Sequence, residues 1–478
     1  MRQNLKRTLG ILLAAIILLS GVSFAWASFD WESYWQQNGE EIARGVYVAP
    51  GHTESERIIR WYTEEKDGNT VAVSKSEDMN GAVTFTAGTV PTLQGDYSAE
   101  AEIKNLKSGK TYYYTCSSGS YSSPVYHFET ASGSDFSALY VTDVHISLDD
   151  RNINSVMNQS GKFASVISQA NEKADISVIL SAGDQASEGR RAEYCGFVSP
   201  VDAKNNTVAI LEGNHDRKYV DYKYFNANPE KENGGIRSYI GGDYWFVKGD
   251  CLFLMMDTNN GDGMYHYGFI KEAVKANPGV KWRVAMFHHD LLGGRIPHRE
   301  AENKLIRLLI MPMLDEFAVD LVLMGHSHYY TISNVVYNRK TVLSTKDIDS
   351  VTDPAGTVYM VSGSINRPRG VDPDNLPPVG ENIGQYVDTD KVIYNILDFS
   401  EDSITIKSYY LDEEDSFNTF TISKTSQAGG HPKFGKNPVN YVVRFLGRIY
   451  ALFNNIGKYN DLKEHGCDIP FFDAVIGR

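Results

Sequence analysis

The chain has 478 residues, of which 42% are hydrophobic and 22% charged, and its formal net charge is −14. A chain of this length and composition can bury a large core, as a globular protein does. Its negative charge repels polyanions, so nucleic acid is not an expected partner.

The N-terminal segment has the pattern of a secretory signal peptide. Basic residues at positions 2, 6 and 7 precede an apolar run over residues 9–19, and Ala25 to Ala27 form a small-residue cleavage site. We predict a signal peptide over residues 1–27, a secreted or extracellular protein, and no membrane span after signal removal. An uncleaved anchor is the alternative, although the run is short for a span.

Residues 42–131 are predicted to form a small all-β domain. Runs of β-branched and aromatic residues alternate there with polar and glycine turns. This spacing is typical of an antiparallel sandwich. The expected strands are 56–63, 70–74, 97–103, 111–116 and 125–129, and residues 131–134 form a linker.

Residues 135–412 alternate strand and helix patterns. Alternation of this kind predicts an α/β sandwich of two mixed sheets with helices outside. The expected helices are 152–174, 267–276 and 300–317, and the expected later strands are 358–361, 391–397 and 404–410.

Five short segments of this region carry metal-ligand side chains, each directly after an apolar run. Six of the twelve histidines of the chain lie in them. Each segment alone is compatible with an ordinary turn or a buried histidine. Together, they predict strand ends that converge on one site, and their carboxylates, amide and imidazoles suit two divalent metals. The segments are Asp143-Val144-His145, Gly183-Asp184, Gly213-Asn214-His215-Asp216, His288-His289 and Gly325-His326-Ser327-His328.

The order of these motifs resembles that of the calcineurin-like metallophosphoesterases, over about residues 135–412. The resemblance implies a four-layer fold, two mixed sheets flanked by helices, and a centre of two divalent metal ions. It implies a bridging role for Asp184. The implied ligands of one metal are Asp143, His145, Asp184 and His328, and those of the other are Asp184, Asn214, His288 and His326.

The resemblance also distinguishes the remaining residues of the motifs. His288 rather than His289 is the implied ligand, because it directly follows the run 284–287. His215 is implied to stand beside the leaving group without binding metal. Asp216 is expected to orient His215, with an ordinary turn contact or salt bridge as the alternative.

The all-β region resembles the fibronectin-III-like domain that precedes the catalytic domain of purple acid phosphatases. Residues 44–48, 60–62 and 106–114 carry this resemblance. The chain departs from that branch at Ser187, where those enzymes have a tyrosine, and at His145, where they lack a histidine. Because tyrosinate on ferric iron causes the purple colour, we expect neither the colour nor a requirement for ferric iron. Mn, Fe or Zn all remain open.

Two regions allow alternative interpretations. Residues 290–299 form a glycine-containing loop whose Arg295 and His298, with His289, are candidate substrate contacts, or else a solvated loop. Residues 428–478 contain a linker and an amphipathic helix around 442–456 that could dock, cap the site, dimerise or lie on a membrane, and docking is the default.

The four cysteines do not form a disulfide framework. Cys195 and Cys251 could pair within the catalytic region. Buried free thiols are the alternative.

The motifs indicate a secreted phosphoesterase that hydrolyses phosphate monoesters by attack of a metal-bound hydroxide. A small phosphate ester is the expected substrate. A phosphodiesterase with the same centre is one alternative, and a cell-surface binding protein with a vestigial metal site is another. The sequence does not define the oligomeric state.

Overall fold

The computed structural model describes residues 31–229, 242–292, 300–370, 380–425 and 438–464. The chain divides into two compact units, residues 1–39 and 40–478. Helix α1 (Trp31–Arg44) begins in the first unit. The predicted signal peptide, the linker before the last helix, Arg295, His298 and Cys467 lie outside the described residues.

The N-terminal β-rich region is a sandwich of two antiparallel layers, as predicted. One layer has the order β1-β2-β6-β5, and the other has the order β4-β3-β7-β8 with β9 paired to β7. Strand β7 shows why these residues form strands, since after Lys110 its residues alternate between partly buried and fully buried, and Tyr112, Tyr114 and Cys116 belong to the core. The strands are β1 (Tyr47–Pro50), β2 (Arg57–Thr63), β3 (Thr70–Ser74), β4 (Val83–Thr86), β5 (Gly88–Pro91), β6 (Tyr97–Ile103), β7 (Lys110–Ser118), β8 (Tyr121–Ser122) and β9 (Tyr126–Thr130).

The rest of the chain contains the remaining strands, which belong mainly to two large mixed sheets. They are β10 (Phe136–Val141), β11 (Ile176–Ser181), β12 (Thr207–Ile210), β13 (Tyr244–Lys248), β14 (Cys251–Met255), β15 (Trp282–Met286), β16 (Leu321–Met324), β17 (Tyr330–Ser333), β18 (Val335–Tyr337), β19 (Lys340–Leu343), β20 (Ser350–Thr352), β21 (Val358–Val361), β22 (Ile383–Val387), β23 (Ile393–Phe399), β24 (Ser403–Tyr410) and β25 (Asn418–Ser423). One sheet has the order β20-β25-β24-β23-β10-β11-β12-β1-β2-β6-β5, and the other has the order β13-β14-β15-β16-β21-β17-β22.

The first of these sheets runs through both regions of the chain. Strand β1 of the N-terminal sandwich pairs in parallel with β12, with Val48 opposite Thr207. Side chains reinforce this junction, since the Tyr114 hydroxyl donates to the carbonyl oxygen of Lys204 at 2.9 Å. The sandwich is therefore joined to the α/β region by backbone hydrogen bonds, which the sequence did not predict.

Helices cover the outer faces of the two sheets. The helices after α1 are α2 (Ile153–Lys173), α3 (Arg191–Phe197), α4 (Val201–Lys204), α5 (Asp221–Phe225), α6 (Gly263–Ala276), α7 (Glu300–Glu316) and α8 (Pro438–Glu464). The predicted four-layer α/β fold is confirmed. Helix α2 begins where predicted because the Asn152 side chain accepts a hydrogen bond from the Asn154 backbone N–H.

Two apolar cores hold the layers together. The inner core lies between the two sheets and includes Tyr140, Leu180, Phe253 and Leu323. The outer core packs the second sheet against α6, α7 and α8. Burial of these residues removes apolar surface from water and leaves the strand ends as the place where polar side chains gather.

The C-terminal helix α8 docks on α6 and α7. Arg444 is buried, with its guanidinium 4.1 Å from the ring centroid of Tyr267 and its Nη2 3.4 Å from Oε2 of Glu316. Gly447 lies against Leu309, where a Cβ would collide. The opposite face of the helix exposes apolar side chains that include Phe445.

The described cysteines, Cys116, Cys195 and Cys251, are buried free thiols, so Cys195 and Cys251 do not pair. None of the helices in the described ranges has the length and hydropathy needed to cross a lipid bilayer.

Candidate metal centre

The five predicted segments meet at one edge of the two sheets. Strands β10, β11 and β12 are parallel neighbours in one sheet, and β15 and β16 are parallel neighbours in the other. The carboxyl ends of parallel strands lie at the same edge, so the loops that follow them come together. The structure brings together the seven side chains proposed as ligands: Asp143, His145, Asp184, Asn214, His288, His326 and His328.

The first group of donors contains Asp143, His145 and His328. Nε2 of His328 lies 3.0 Å from Oδ1 of Asp143, and Nε2 of His145 lies 3.7 Å from the same oxygen. The two imidazole Nε2 atoms are 3.2 Å apart. All three side chains are buried.

The second group contains Asn214, His288 and His326. The Asn214 amide oxygen lies 2.8 Å from Nδ1 of His326 and 3.1 Å from Nε2 of His288. The two imidazole nitrogens are 3.2 Å apart.

Asp184 lies between the two groups. Its Oδ2 is 3.6 Å from Nε2 of His145 in the first group and 3.3 Å from Nε2 of His288 in the second. Its Oδ1 accepts a hydrogen bond of 2.8 Å from the His215 backbone N–H. One carboxylate oxygen therefore faces both groups, which is the arrangement that a bridging ligand requires.

The protonation of two imidazoles shows that these donors fit metal ions. Nδ1 of His288 contacts the carbonyl oxygen of Ala182 at 2.9 Å, and Nδ1 of His328 contacts that of Arg367 at 2.9 Å. Because a carbonyl oxygen only accepts, each Nδ1 carries a proton, and each Nε2 is directed at the cluster, where it can hold either a second proton or a metal ion. Lone pairs of nitrogen and carboxylate oxygen that face one another at these distances need a cation between them, either a proton or a metal ion.

The charges of the cluster lead to the same conclusion. Burial raises the pKa of Asp143 and Asp184, but the imidazoles of His328 and His288 outweigh burial, and both carboxyl pKa values lie below the ordinary value. Burial lowers the pKa of His288, yet the Asp184 carboxylate overcomes this effect and raises it to about 9. Two buried ionised carboxylates thus attract positive charge to the centre.

The backbone of the ligand loops is strained. Five proposed ligands have positive φ angles: Asp143 at 50°, His145 at 51°, Asp184 at 53°, His326 at 75° and His328 at 62°. Such conformations cost about 1–3 kcal/mol each, and they persist where the surrounding structure holds them for a function. At these five positions the positive φ angles accompany donor side chains that face the cluster.

Two glycines allow the loops to approach each other. A Cβ on Gly213 would collide with the carboxylate of Asp184, and a Cβ on Gly325 would collide with Thr142 and with the carboxylate of Asp143. These positions therefore need glycine because a ligand carboxylate, and at Gly325 also the Thr142 side chain, occupies the space of a Cβ.

Ser187, rather than Asp216, holds His215. Nδ1 of His215 contacts the carbonyl oxygen of Ser187 at 2.7 Å and therefore donates to it. The Asp216 carboxylate accepts from the backbone N–H groups of Ala186 at 3.0 Å and Gly213 at 2.9 Å. The expected orienting role of Asp216 is thus wrong, and its alternative, a turn contact, describes the structure. The reason is that buried backbone N–H groups need hydrogen-bond acceptors, and the Asp216 carboxylate serves the two loop N–H groups instead of His215.

His289 lies behind the cluster rather than in it. Its Nδ1 is 2.8 Å from the Thr258 hydroxyl, and its ring centroid is 4.9 Å from that of His326. His288, by contrast, faces Asp184 and Asn214 directly. The geometry thus favours the predicted choice of His288 as the ligand.

The sequence interpretation missed one residue that contacts the site. Arg367, which follows strand β21, donates from Nη2 to the Ser187 hydroxyl at 2.9 Å and accepts from His328. Strand β21 pairs in parallel with β16. The rule that parallel strand ends converge therefore also applied to residues 362–367, but these residues lack a metal-ligand motif that would have directed attention to them.

Comparison with known proteins agrees with this architecture. The family described as calcineurin-like phosphoesterase matches residues 136–330, and the purple acid phosphatase N-terminal domain matches residues 43–130. The first match spans every proposed metal ligand.

Two curated relatives are plant proteins. Purple acid phosphatase 23 of Arabidopsis thaliana is 28% identical over 217 residues, which cover 43% of this chain and 43% of that protein. Purple acid phosphatase 15 of the same plant is 22% identical over 334 residues, which cover 63% of this chain and 58% of that protein. The chain thus spans about half the length of these relatives.

Solved structures share the fold. Purple acid phosphatase PPD1 from yellow lupin (Lupinus luteus) seeds has a TM-score of 0.67 and 14% identity, with 82% of this chain and 77% of that chain covered. PhoD has a TM-score of 0.53 and 12% identity, with 86% and 98% covered. These two structures show the fold alone. The two domain matches and the buried Asp and His clusters show a calcineurin-like metallophosphoesterase with an N-terminal domain of the purple acid phosphatase type.

Proposed function

We propose that this protein hydrolyses phosphate monoesters at a centre of two divalent metal ions. The observation that carries the proposal is the position of Asp184, whose Oδ2 faces both donor groups at 3.6 and 3.3 Å. One group would hold a metal with Asp143, His145 and His328, and the other with Asn214, His288 and His326. When bound, a pair of divalent ions supplies a hydroxide nucleophile near neutral pH and neutralises phosphate charge.

His215 is the proposed proton donor to the leaving group. Its Nδ1–H is engaged by the Ser187 carbonyl oxygen at 2.7 Å, so the ring is held in place and Nε2 is the atom that exchanges a proton. The His215 side chain is partly exposed, unlike the buried Asp and His ligands. A partly exposed imidazole beside the cluster can contact a substrate without replacing a ligand.

The residue Ser187 supports a centre that does not depend on ferric iron. The Ser187 side chain is buried and hydrogen-bonded to Arg367. A serine cannot supply a tyrosinate ligand, so we infer that Mn, Zn or Fe(II) serves. Protein freed of metal and reloaded with Mn or Zn alone should be active. Activity only with a ferric mixture would contradict this inference.

The decisive experiment compares two esters with one leaving group. Metal-loaded protein is assayed with p-nitrophenyl phosphate and with methyl p-nitrophenyl phosphate, and Asp184→Asn protein prepared in the same way reports contaminating activity. Faster hydrolysis of the monoester supports the proposal, and faster hydrolysis of the diester supports a phosphodiesterase instead. Hydrolysis of neither ester by protein with two bound metals would favour a binding protein with a vestigial centre.

We also propose that residues 1–27 direct export and are removed. The basic start, the apolar run and the Ala25 to Ala27 site support this proposal. N-terminal sequencing of the protein recovered outside its producing cells should begin at Ser28. A protein that keeps its first residues and stays with the cell would contradict it.

A further inference from the structure

We propose that Arg367 binds a phosphate oxygen of the substrate and thereby favours monoesters over diesters. This inference rests on the proposed phosphoesterase function and adds to the centre a residue that none of the predicted motifs contains. It depends on three features: the anchoring of the Arg367 backbone, the position of its guanidinium, and its exposure.

The backbone of Arg367 is fastened to the metal centre. Its carbonyl oxygen accepts from Nδ1 of His328 at 2.9 Å, and its N–H donates to the Ser364 hydroxyl at 2.9 Å. The Ser364 hydroxyl in turn donates to the Asp143 carbonyl oxygen at 2.6 Å. Asn366 donates to the carbonyl oxygen of Val144 at 2.8 Å. The segment is therefore tied to the first ligand loop, which restricts where the side chain can reach.

The guanidinium of Arg367 is held at the same residue that holds His215. Its Nη2 donates to the hydroxyl of Ser187 at 2.9 Å, while the carbonyl oxygen of Ser187 accepts from Nδ1 of His215 at 2.7 Å. Ser187 is fully buried, so it provides a rigid support. The proposed acid, His215, and the proposed phosphate-binding cation, Arg367, are thus both hydrogen-bonded to Ser187.

Arg367 keeps its charge available for a ligand. Arg367 is solvent-exposed, and the group that its Nη2 contacts is a neutral hydroxyl. Lys218 is another cation beside Ser187, but its Nζ lies 2.8 Å from the Glu188 carboxylate, which neutralises the charge of the lysine. A guanidinium has five N–H donors in a planar fork that matches phosphate oxygens, and only one of them is needed for the Ser187 hydroxyl.

The chemistry of the ligand explains the expected preference. A monoester has three non-bridging oxygens and up to two negative charges, whereas a diester has two such oxygens and one charge. A fixed cation in addition to the metal ions therefore contributes more to the binding of a monoester. Hydrogen bonds between charged partners are about twice as strong as neutral ones.

The test compares Arg367→Gln with Arg369→Gln, a matched control at an exposed arginine two residues along the chain. Each variant is assayed with p-nitrophenyl phosphate and methyl p-nitrophenyl phosphate, binding of inorganic phosphate is measured by calorimetry, and bound metal is counted. For Arg367→Gln we expect kcat/KM on the monoester to fall about 10- to 100-fold, the range of one charged hydrogen bond. The phosphate Kd should rise by a similar factor, the diester rate should change by less than about threefold, and two metals should remain. Arg369→Gln should behave as the wild type.

Other outcomes would overturn the inference. Equal losses on both esters would make Arg367 a structural residue, as would a loss of bound metal. An unchanged phosphate Kd would exclude contact with phosphate. If the wild-type protein hydrolyses neither ester, the proposed function fails, but the calorimetric comparison of phosphate binding still decides the role of Arg367.

Discussion

Replacement of the bridging carboxylate, Asp184→Asn, tests the metal centre most directly. In the wild type, Oδ1 of Asp184 accepts a hydrogen bond of 2.8 Å from the His215 backbone N–H. The variant keeps an oxygen that can accept this hydrogen bond, so the loop should retain its conformation. Its amide nitrogen would replace the oxygen that faces His145 at 3.6 Å and His288 at 3.3 Å. An amide nitrogen has no lone pair to donate, so both groups lose a charged ligand at once.

The size of the effect can be estimated from binding linkage. Loss of a residue that only supports a ligand weakens metal binding by about 10- to 100-fold, so loss of a shared ligand should cost at least about 100-fold. At a metal concentration about 100 times Kd, each wild-type site adds about 2.7 kcal/mol to the free energy of unfolding. After a 100-fold loss of affinity the same concentration adds only about 0.4 kcal/mol, so each site loses about 2.3 kcal/mol.

The assay combines metal counting with denaturant unfolding in the presence of metal and of chelator. Asp250→Asn, at an exposed position in the β13–β14 turn, is the matched control. Wild-type and control protein should be stabilised by metal, and Asp184→Asn should not. If Asp184→Asn retained two metals and the full stabilisation, the bridging role and the reasoning from its geometry would be refuted.

The remaining predictions concern four histidines. His288→Ala should lose bound metal, whereas His289→Ala, which loses a contact to a hydroxyl, should mainly alter kinetics, and the reverse result would move the ligand by one residue. His215→Ala should keep both metals and lower kcat by about 10²–10⁴, with a smaller defect for nitrophenyl esters than for alkyl esters; equal defects would remove His215 from the acid role. Burial lowers the pKa of His266, but the Asp243 carboxylate 2.6 Å from it raises the pKa to about 8. The stability from this pair should therefore be complete below the unfolded pKa of about 6.5 and lost as the pH rises through 8. Measured against His266→Gln in denaturant unfolding, the advantage of the wild type should shrink by about 2 kcal/mol between pH 6 and 9, and a constant difference would show that the pair does not titrate in this range.

Much of the site could be predicted from the sequence because each metal-ligand motif is short and directly follows an apolar run. Buried parallel strands appear as apolar runs, and their carboxyl ends meet at one edge, so the motifs that follow them can be placed near one another without coordinates. The contacts of Asp216 were not predictable in this way. Whether its carboxylate binds His215 or the amides of Ala186 and Gly213 depends on the fold of two loops that are distant in sequence.

The sequence by itself determined the two regions, their fold classes and the set of candidate ligands, because periodicity and spacing are local properties of the chain. The tertiary structure decided which atoms face one another. It joined β1 to β12 in one sheet, held His215 on the carbonyl oxygen of Ser187, and placed Arg367 on the hydroxyl of the same residue. These pairings join residues 28 to 180 positions apart. Packing of the whole core fixes such contacts, and no local pattern in the sequence records them.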